Sequence, residues 1–309
     1  MEGFPDGLQV NFDWRSYIFT SPSPRALVGS VKTRLGVDFK EAEKEVRPVP
    51  VRIGQGNSIV LSVNQQLGND YNVKGDELGV GAVVWDAAIV LGWFLEAFPE
   101  IVKGGKTVID LGSGTGICGI LAAIFMGIGE EGSKGSLGKV VCTDHGRLEA
   151  LCRGNVSTAQ ETFSGLGGGW EGVVRCLGEV EFCHFWWGGG LPDRVRELVG
   201  WGEGGKEKGK FFDVIIASDD LYDDDAFPPL LESLKVITGP RTLVVFAYKR
   251  RMNSREVGFF EKIEEHFDIG IVDLDVVGCE PYTETYIALA GIKGGEAAGW
   301  LREKKIWRG

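Results

Sequence analysis

From residue 107 onward, short apolar runs alternate with longer amphipathic stretches. The apolar runs predict strands at 107–111, 140–143, 173–182, 212–217 and 242–248. The stretches between them predict helices at 117–126, 147–159, 227–234 and 256–267. Because strands that alternate with helices form a parallel sheet covered on both faces, this pattern favours an open α/β fold.

The two ends of the pattern differ from this alternation. Two β-rich runs at 269–277 and 283–290 follow each other without a helix, which predicts an antiparallel hairpin at the end of the sheet. Upstream, alternation over 49–63 predicts another β-hairpin, and 84–97 predicts a helix that ends before Pro99. We therefore expect an α/β, Rossmann-like, seven-stranded, mostly parallel sheet with an antiparallel last strand, preceded by a β-hairpin extension.

The same pattern divides the chain into an extension at 1–83, one domain at 84–295 and a tail at 296–309. Residues 1–47 mix proline, serine and charge, with a short strand or helix expected around 14–19 and 37–46. Dense glycine at 127–138, 164–169 and 200–210 predicts surface loops.

Composition narrows the class of protein. With 43% hydrophobic residues, the 309-residue chain can bury a large core. Its net charge of −11 argues against a general nucleic-acid binder, since phosphate contacts need clustered Lys and Arg, and suits a basic protein partner. We find no leader pattern and no apolar run of membrane length, and expect a soluble, cytoplasmic monomer. Six scattered cysteines without a C-x-x-C pair predict buried free thiols and no zinc site.

The strongest chemical signal is a glycine turn between the strand at 107–111 and the following helix. It reads Asp110-Leu-Gly112-Ser113-Gly114-Thr-Gly. Glycines permit a sharp turn and close approach of a ligand, although a tight strand-to-helix connection would look the same. A dinucleotide site needs G-x-G-x-x-G, and this chain has Ile117 at the position of the last glycine. The G-x-G-x-G spacing with Asp110 beside it instead suits the amino acid end of S-adenosylmethionine.

A second carboxylate supports a nucleoside ligand. Asp144 ends the next predicted strand, where it can accept both hydroxyl hydrogens of a ribose. It follows Gly112 by 32 residues (144 − 112) rather than about 20, and the glycine-rich loop at 127–138 explains the difference. The alternative is that Asp144 caps the helix beginning near Arg147.

These motifs resemble the family-16 seven-β-strand protein lysine methyltransferases, of the methyltransferase-like 21 and elongation-factor type. The resemblance runs from about Gly79 to Ala290. Four segments carry it: Val83-Val-Trp-Asp-Ala-Ala88, the glycine turn, Trp186-Trp187-Gly188, and the D-x-x-Y signature in Ser218-Asp219-Asp220-Leu221-Tyr222.

The resemblance implies S-adenosylmethionine as cofactor and a lysine of a protein, such as an elongation factor, as substrate. The cofactor residues that it implies are Trp85, Asp110, Gly112, Ser113, Gly114, Asp144, Trp187 and Ser218. Asp219 and Tyr222 are the implied catalytic residues: Asp219 draws in and orients the lysine amine, and Tyr222 flanks its stem or donates its hydroxyl. In this chain Trp186 replaces the aspartate of the family's L-D-W-G segment, which puts a polar contact from that position in doubt.

Four further acids follow the fourth predicted strand, and most of them are expected to form a solvated loop and the cap of the next helix: Asp220, Asp223, Asp224 and Asp225. Three other functions remain open: a small-molecule N- or O-methyltransferase, a non-catalytic binding module on the same fold, and a nicotinamide-dependent oxidoreductase, which Ile117 disfavours.

Overall fold

A computed structural model describes residues 8–12, 45–53, 58–66, 81–132, 135–198, 211–221, 223–250, 253–272 and 285–303. Its strands are β1 (Val10–Asn11), β2 (Val46–Arg52), β3 (Ser58–Asn64), β4 (Thr107–Leu111), β5 (Lys139–Asp144), β6 (Val180–His184), β7 (Val214–Ser218), β8 (Leu243–Lys249), β9 (Phe267–Val272) and β10 (Thr285–Ile292). Its helices are α1 (Asp86–Ala97), α2 (Ile117–Gly127), α3 (Glu149–Gly165), α4 (Glu171–Gly178), α5 (Asp193–Leu198), α6 (Phe227–Ile237), α7 (Asn253–Ile263) and α8 (Glu296–Glu303). Short 3₁₀ turns occupy Pro99–Ile101, Gly146–Leu148 and Asp224–Ala226.

The main sheet has the strand order β6-β5-β4-β7-β8-β10-β9-β1. The five neighbouring strands β6, β5, β4, β7 and β8 are parallel to one another. Strand β10 pairs antiparallel with both β8 and β9. This confirms the predicted mostly parallel sheet and its antiparallel last strand. The short strand β1 adds an eighth member, pairing Val10 with Val272 at the edge. The element expected at 14–19 and residues 37–44 of the element expected at 37–46 lie outside the described residues.

Helices cover both faces of the sheet. Successive residues of a strand point to opposite faces, so Val108 packs with α1 and α2 on one side while Ile109 packs with α6 and α7 on the other. The hairpin β2–β3, α3, α4 and α8 join the first layer. In this arrangement the carboxyl ends of β4, β5, β6 and β7 meet at one edge of the sheet.

The predicted strand at 173–182 is wrong in its first half. Residues Glu171–Gly178 form α4, and the strand is Val180–His184. Three buried residues, Val173, Cys176 and Leu177, follow a helical spacing, which a short run of β-branched and apolar residues does not reveal. Helix α4 packs closely on α2, because Gly127 and Gly172 leave no side chain between their backbones.

The segment expected as a tail contains α8, whose Trp300 and Leu301 are buried against the sheet. The division into extension, domain and tail stays a prediction. Within the described part of the chain no helix is long and apolar enough to cross a bilayer.

The predicted N-terminal hairpin is confirmed, with β2 and β3 antiparallel from Val46↔Asn64 to Arg52↔Ser58. A buried ion network fastens it to the domain. Arg47, 1% exposed, donates to the Val84 carbonyl and lies 3.7 Å from Asp86 Oδ1, while Lys249 Nζ donates to Asp86 Oδ2 at 2.9 Å. The hairpin, the start of α1 and the end of β8 therefore meet at one carboxylate.

The side-chain amides of Gln65 and Asn155 also attach the hairpin to the domain. The Val84 N–H donates to Gln65 Oε1 at 2.8 Å, just after the hairpin. Asn155 of α3 accepts from the Asn64 N–H at 2.8 Å and donates through Nδ2 to the carbonyls of Asn64 and Thr115, each at 3.0 Å. The hairpin is thus hydrogen-bonded to α3 and, through it, to the glycine turn.

Arg47→Met should destabilise the protein by about 3 kcal/mol, because the Val84 carbonyl and one oxygen of Asp86 lose a buried cationic donor. The free energy of unfolding in urea measures this. In the matched control, Arg52→Met removes the partly exposed ion pair with Glu96 (3.8 Å) and should cost less than about 1 kcal/mol. Equal losses in the two variants would mean that the buried network has no special role.

Gly172→Ala should destabilise the protein by about 1–3 kcal/mol, since a Cβ there would overlap the Gly127 carbonyl oxygen and push α4 away from α2. Gly154 in α3 is exposed and has nothing within 4 Å of a built Cβ. Gly154→Ala should therefore stabilise by up to about 1 kcal/mol. Thermal melts of both variants test the pair; a stabilised Gly172→Ala would contradict the close helix packing.

Candidate functional site

A cavity of about 730 Å³ lies at the carboxyl ends of β4, β5, β6 and β7. Its volume is within the roughly 300–1,000 Å³ of small-molecule sites, and its position is where open α/β sheets bind ligands. Of the predicted site residues, those that line it are Trp85, Gly112, Ser113, Gly114, Asp144, Trp187, Ser218 and Asp219. Asp110 does not line it, and Tyr222 lies outside the described residues.

The glycine turn forms the floor of the cavity in a conformation that only glycine adopts readily. Gly112, Gly114 and Gly116 have φ of 61°, 54° and 82°. A Cβ on Gly114 would overlap the Gly81 carbonyl oxygen, and one on Gly112 would overlap the Asp220 carboxyl group. The turn is therefore fixed by contact on both sides, and its backbone is open to a ligand.

Asp110 lies behind this turn rather than in the cavity. Its side chain is fully buried, and its Oδ2 accepts from the Gly119 N–H in the first turn of α2 at 3.0 Å. Burial raises the pKa of this carboxyl group to about 8. In this position Asp110 joins the end of β4 to the start of α2; a direct cofactor contact stays a prediction.

Asp144 ends β5 at the wall of the cavity. Its Oδ2 accepts from the Gly114 N–H at 2.8 Å and its Oδ1 from the His145 N–H at 2.6 Å, while burial raises its pKa. The residue that caps the following 3₁₀ turn is His145, whose Nδ1 accepts from the Arg147 N–H at 3.2 Å. A carboxylate oxygen has two lone pairs, so Asp144 keeps acceptor capacity for ribose hydroxyls.

Three tryptophans border the cavity. Trp85 is the N-cap residue of α1, and Trp187 packs beside Gly112. Trp186, at the position of the family's aspartate, is 63% exposed and meets His145 edge-to-face at 5.8 Å. This side of the cavity therefore offers aromatic rings and an imidazole in place of a carboxylate.

The turn after β7 presents Asp219. It has φ 63°, a left-handed conformation that aspartate tolerates better than most residues. Strand β8 holds it, because its N–H donates to the Ala247 carbonyl at 2.7 Å and the Lys249 N–H reaches its Oδ1 at 3.4 Å. The carboxyl group is thereby fixed at the cavity wall.

The expectation for Asp220 is wrong. Asp220 is only 5% exposed and lines the cavity, where its carboxyl group occupies the space beside Gly112 that a Cβ would need. The sequence gives no signal for this, because a run of acids looks uniformly solvated. Its neighbours do match the expectation: Asp223 is exposed and caps the next 3₁₀ turn, accepting from the Asp225 N–H at 3.1 Å.

The cavity is acidic. Its described lining includes no Lys or Arg but five aspartates: Asp144, Asp219, Asp220, Asp223 and Asp225. Such a wall attracts cations and repels phosphate groups. Nor do the described residues contain a group of three His, Cys, Asp or Glu side chains that could hold a metal ion.

The site fits S-adenosylmethionine, which carries a ribose and whose sulfonium and ammonium groups outweigh its one carboxylate, so that its net charge is positive. Besides the glycine floor and Asp144, the hydroxyls of Ser113 and Thr115 are buried in the cavity wall and have no hydrogen-bond partner among the described residues. A polar ligand would supply those partners.

Comparisons with known proteins agree with this site. A sequence profile described as "Lysine methyltransferase" matches residues 65–169 and 178–266. The chain is 28% identical over 233 residues to protein N-lysine methyltransferase METTL21A of Danio rerio, covering 75% of this chain and 88% of that protein. It is 29% identical over 202 residues to EEF1A lysine methyltransferase 3 of Mus musculus, covering 65% and 70%.

Among solved structures, a fibrillarin of Methanococcus jannaschii matches with a TM-score of 0.42 at 13% identity, covering 81% of this chain and 99% of that one. A TehB-like methyltransferase of Corynebacterium glutamicum matches with a TM-score of 0.40 at 13% identity, covering 69% and 91%. The profile match spans more than half of the chain, and the matched residues include the glycine turn and the cavity lining. The chain therefore belongs to the lysine methyltransferase family, enzymes that transfer a methyl group from S-adenosylmethionine to a protein lysine.

Proposed function

We propose that this enzyme methylates a lysine of a translation elongation factor, as a cytoplasmic monomer, with Asp219 and Tyr222 holding the lysine. The observation that carries the proposal is the acidic cavity: five aspartates and, among the described lining residues, no basic side chain. Both groups that it would receive, the cofactor and a lysine ammonium, are cations.

The protein substrate is inferred from the relatives and from charge. Relatives in Mus musculus and Xenopus tropicalis are named for lysine methylation of EEF1A. The net charge of −11 and the exposed acids Asp223 and Asp225 in the cavity lining suit a lysine-rich surface and disfavour nucleic acid.

S-adenosylmethionine supplies the methyl group: the lysine lone pair forms the N–C bond while the C–S bond breaks and leaves its electron pair on a neutral sulfur. The protein's task is to position a neutral amine and exclude water. The Asp219 carboxylate, fixed by β8, attracts the incoming ammonium and orients its nitrogen after the proton is lost to solvent. Trp85 and Trp187 border the same space and limit access of water.

Asp219→Asn should lower the rate of methyl transfer about 100-fold or more, because the amide keeps the left-handed backbone and the acceptor for Lys249 N–H but loses the charge. Affinity for S-adenosylmethionine should change little. The assay follows radiolabelled methyl groups into purified elongation factor and into a cell lysate, and acid hydrolysis of the labelled band identifies methyl-lysine.

The matched control is Asp224→Asn, an exposed neighbour outside the cavity lining that loses the same charge. It should retain a rate close to that of the unmodified enzyme. Label found only in small molecules would overturn the proposed protein substrate. A full rate in Asp219→Asn would overturn the role of Asp219.

Asp144→Asn should weaken S-adenosylmethionine binding about 10- to 100-fold, because a ribose with two hydroxyls loses a charged acceptor. Calorimetry should show the loss equally for S-adenosylhomocysteine, which carries the same ribose, and no loss in Asp224→Asn. If the Asn variant binds both ligands normally, the ribose lies elsewhere in the cavity.

A further inference from the structure

Asp220 is a buried acid with no role in the D-x-x-Y signature, where its position is unspecified. It is 5% exposed, lines the cavity and lies against Gly112, the first glycine of the turn. Trp187 packs on the same side of Gly112. The carboxyl group is therefore held at the floor of the site and shielded from bulk water.

Among the described residues that line the cavity, no Lys or Arg compensates the charge of an ionised Asp220. Its Oδ2 is buried and has no hydrogen-bond partner among the described residues. Burial raises its pKa well above the ordinary value, and the nearby carboxyl groups of Asp110, Asp144 and Asp219 raise it further. An ionised carboxylate in such a place is costly unless a cation comes to it, so the group either keeps a proton or receives a positive ligand.

The order of the strands shows which part of the cofactor lies there. Strand β4, with the glycine turn, is between β5, which ends in Asp144, and β7, which leads to Asp220. With the ribose at Asp144, adenine and the methionine end leave it in opposite directions. The methionine end suits the side over the glycine turn towards β7, because its sulfonium and α-ammonium are cations and Asp219 and Asp220 line the cavity there.

We propose that Asp220 is the anionic partner of the positively charged methionine end of S-adenosylmethionine and thereby discriminates charged cofactor from neutral nucleosides. The inference rests on the proposed placement of the ribose at Asp144. Asp220 acts on cofactor binding, whereas Asp219 acts on the lysine. The cofactor cation makes the ionised form of Asp220 favourable, so binding releases protons from the aspartate cluster.

The test is calorimetry on the full chain with Asp220→Asn, without protein substrate. Three probes share adenosine but differ in charge: S-adenosylmethionine, S-adenosylhomocysteine, which lacks the sulfonium, and 5′-methylthioadenosine, which lacks the amino acid as well. Asp220→Asn should lower the affinity for S-adenosylmethionine about 10- to 100-fold and leave the affinity for 5′-methylthioadenosine unchanged. Loss of S-adenosylhomocysteine affinity in parallel identifies the ammonium as the partner; a smaller loss identifies the sulfonium.

Proton release provides an independent readout. S-adenosylmethionine is titrated at one pH in two buffers of different ionisation enthalpy, which gives the number of protons released on binding. Asp220→Asn should release fewer protons than the unmodified protein. Asp224→Asn, matched in charge, should behave as the unmodified protein in every titration.

Two results overturn the inference: unchanged affinity and proton count in Asp220→Asn, or an equal loss for 5′-methylthioadenosine, which would mean a general distortion of the site. If the unmodified protein binds none of the three probes, the cofactor assignment fails. Normal cofactor binding without transfer to elongation factor leaves the Asp220 inference intact and overturns only the proposed substrate.

Discussion

The left-handed turn between β4 and α2 is the constraint on which the site depends. Its backbone runs so close to Gly81 on one side and to Asp220 on the other that no side chain fits at Gly114 or Gly112. Carboxyl groups from two adjacent strands hold it, Asp110 at the start of α2 and Asp144 at Gly114. Its geometry is set before any ligand arrives, which reduces the entropy lost on binding.

Holding the turn in this way brings three buried carboxyl groups together. Asp110, Asp144 and Asp220 are mostly or fully buried, and burial raises the pKa of each. A protein selected only for stability would have little reason to bury three such groups together, since each costs free energy in the free state. The cost is consistent with a site that binds cations, because a positive ligand relieves the repulsion when it binds.

The sequence was sufficient for the centre of the fold and insufficient at its margins. Strand β4, the glycine turn and α2 were predictable, because an apolar run, three glycines and a second apolar run follow in order. Helix α4 was not predictable, since Val173, Val174 and Leu177 also suit a strand. The close contact between Gly127 and Gly172 that accompanies the helix appears only in the folded structure.

The site divides in the same way. The position of Asp144 at the cavity was predictable because it ends a strand, and that of Asp219 because the D-x-x-Y signature follows the next strand of the site. Asp220 was missed because burial depends on the space beside Gly112, which the local sequence does not encode. His145 was missed as the cap because a histidine there carries no strong positional preference.

The attachment of the hairpin determines how far the protein can be shortened. Gln65 holds Val84, Arg47 holds Asp86, and Asn155 bridges Asn64 to Thr115, so residues from the hairpin support both the floor and the wall of the cavity. A fragment beginning at residue 84 would retain every predicted cofactor contact and yet lose Gln65 and Arg47, which hold Val84 and Asp86 on either side of Trp85, and Asn64, which holds Asn155. The hairpin lies outside the cavity lining and yet supports residues on which the lining rests, so a shortened chain that keeps these supports begins upstream of β2.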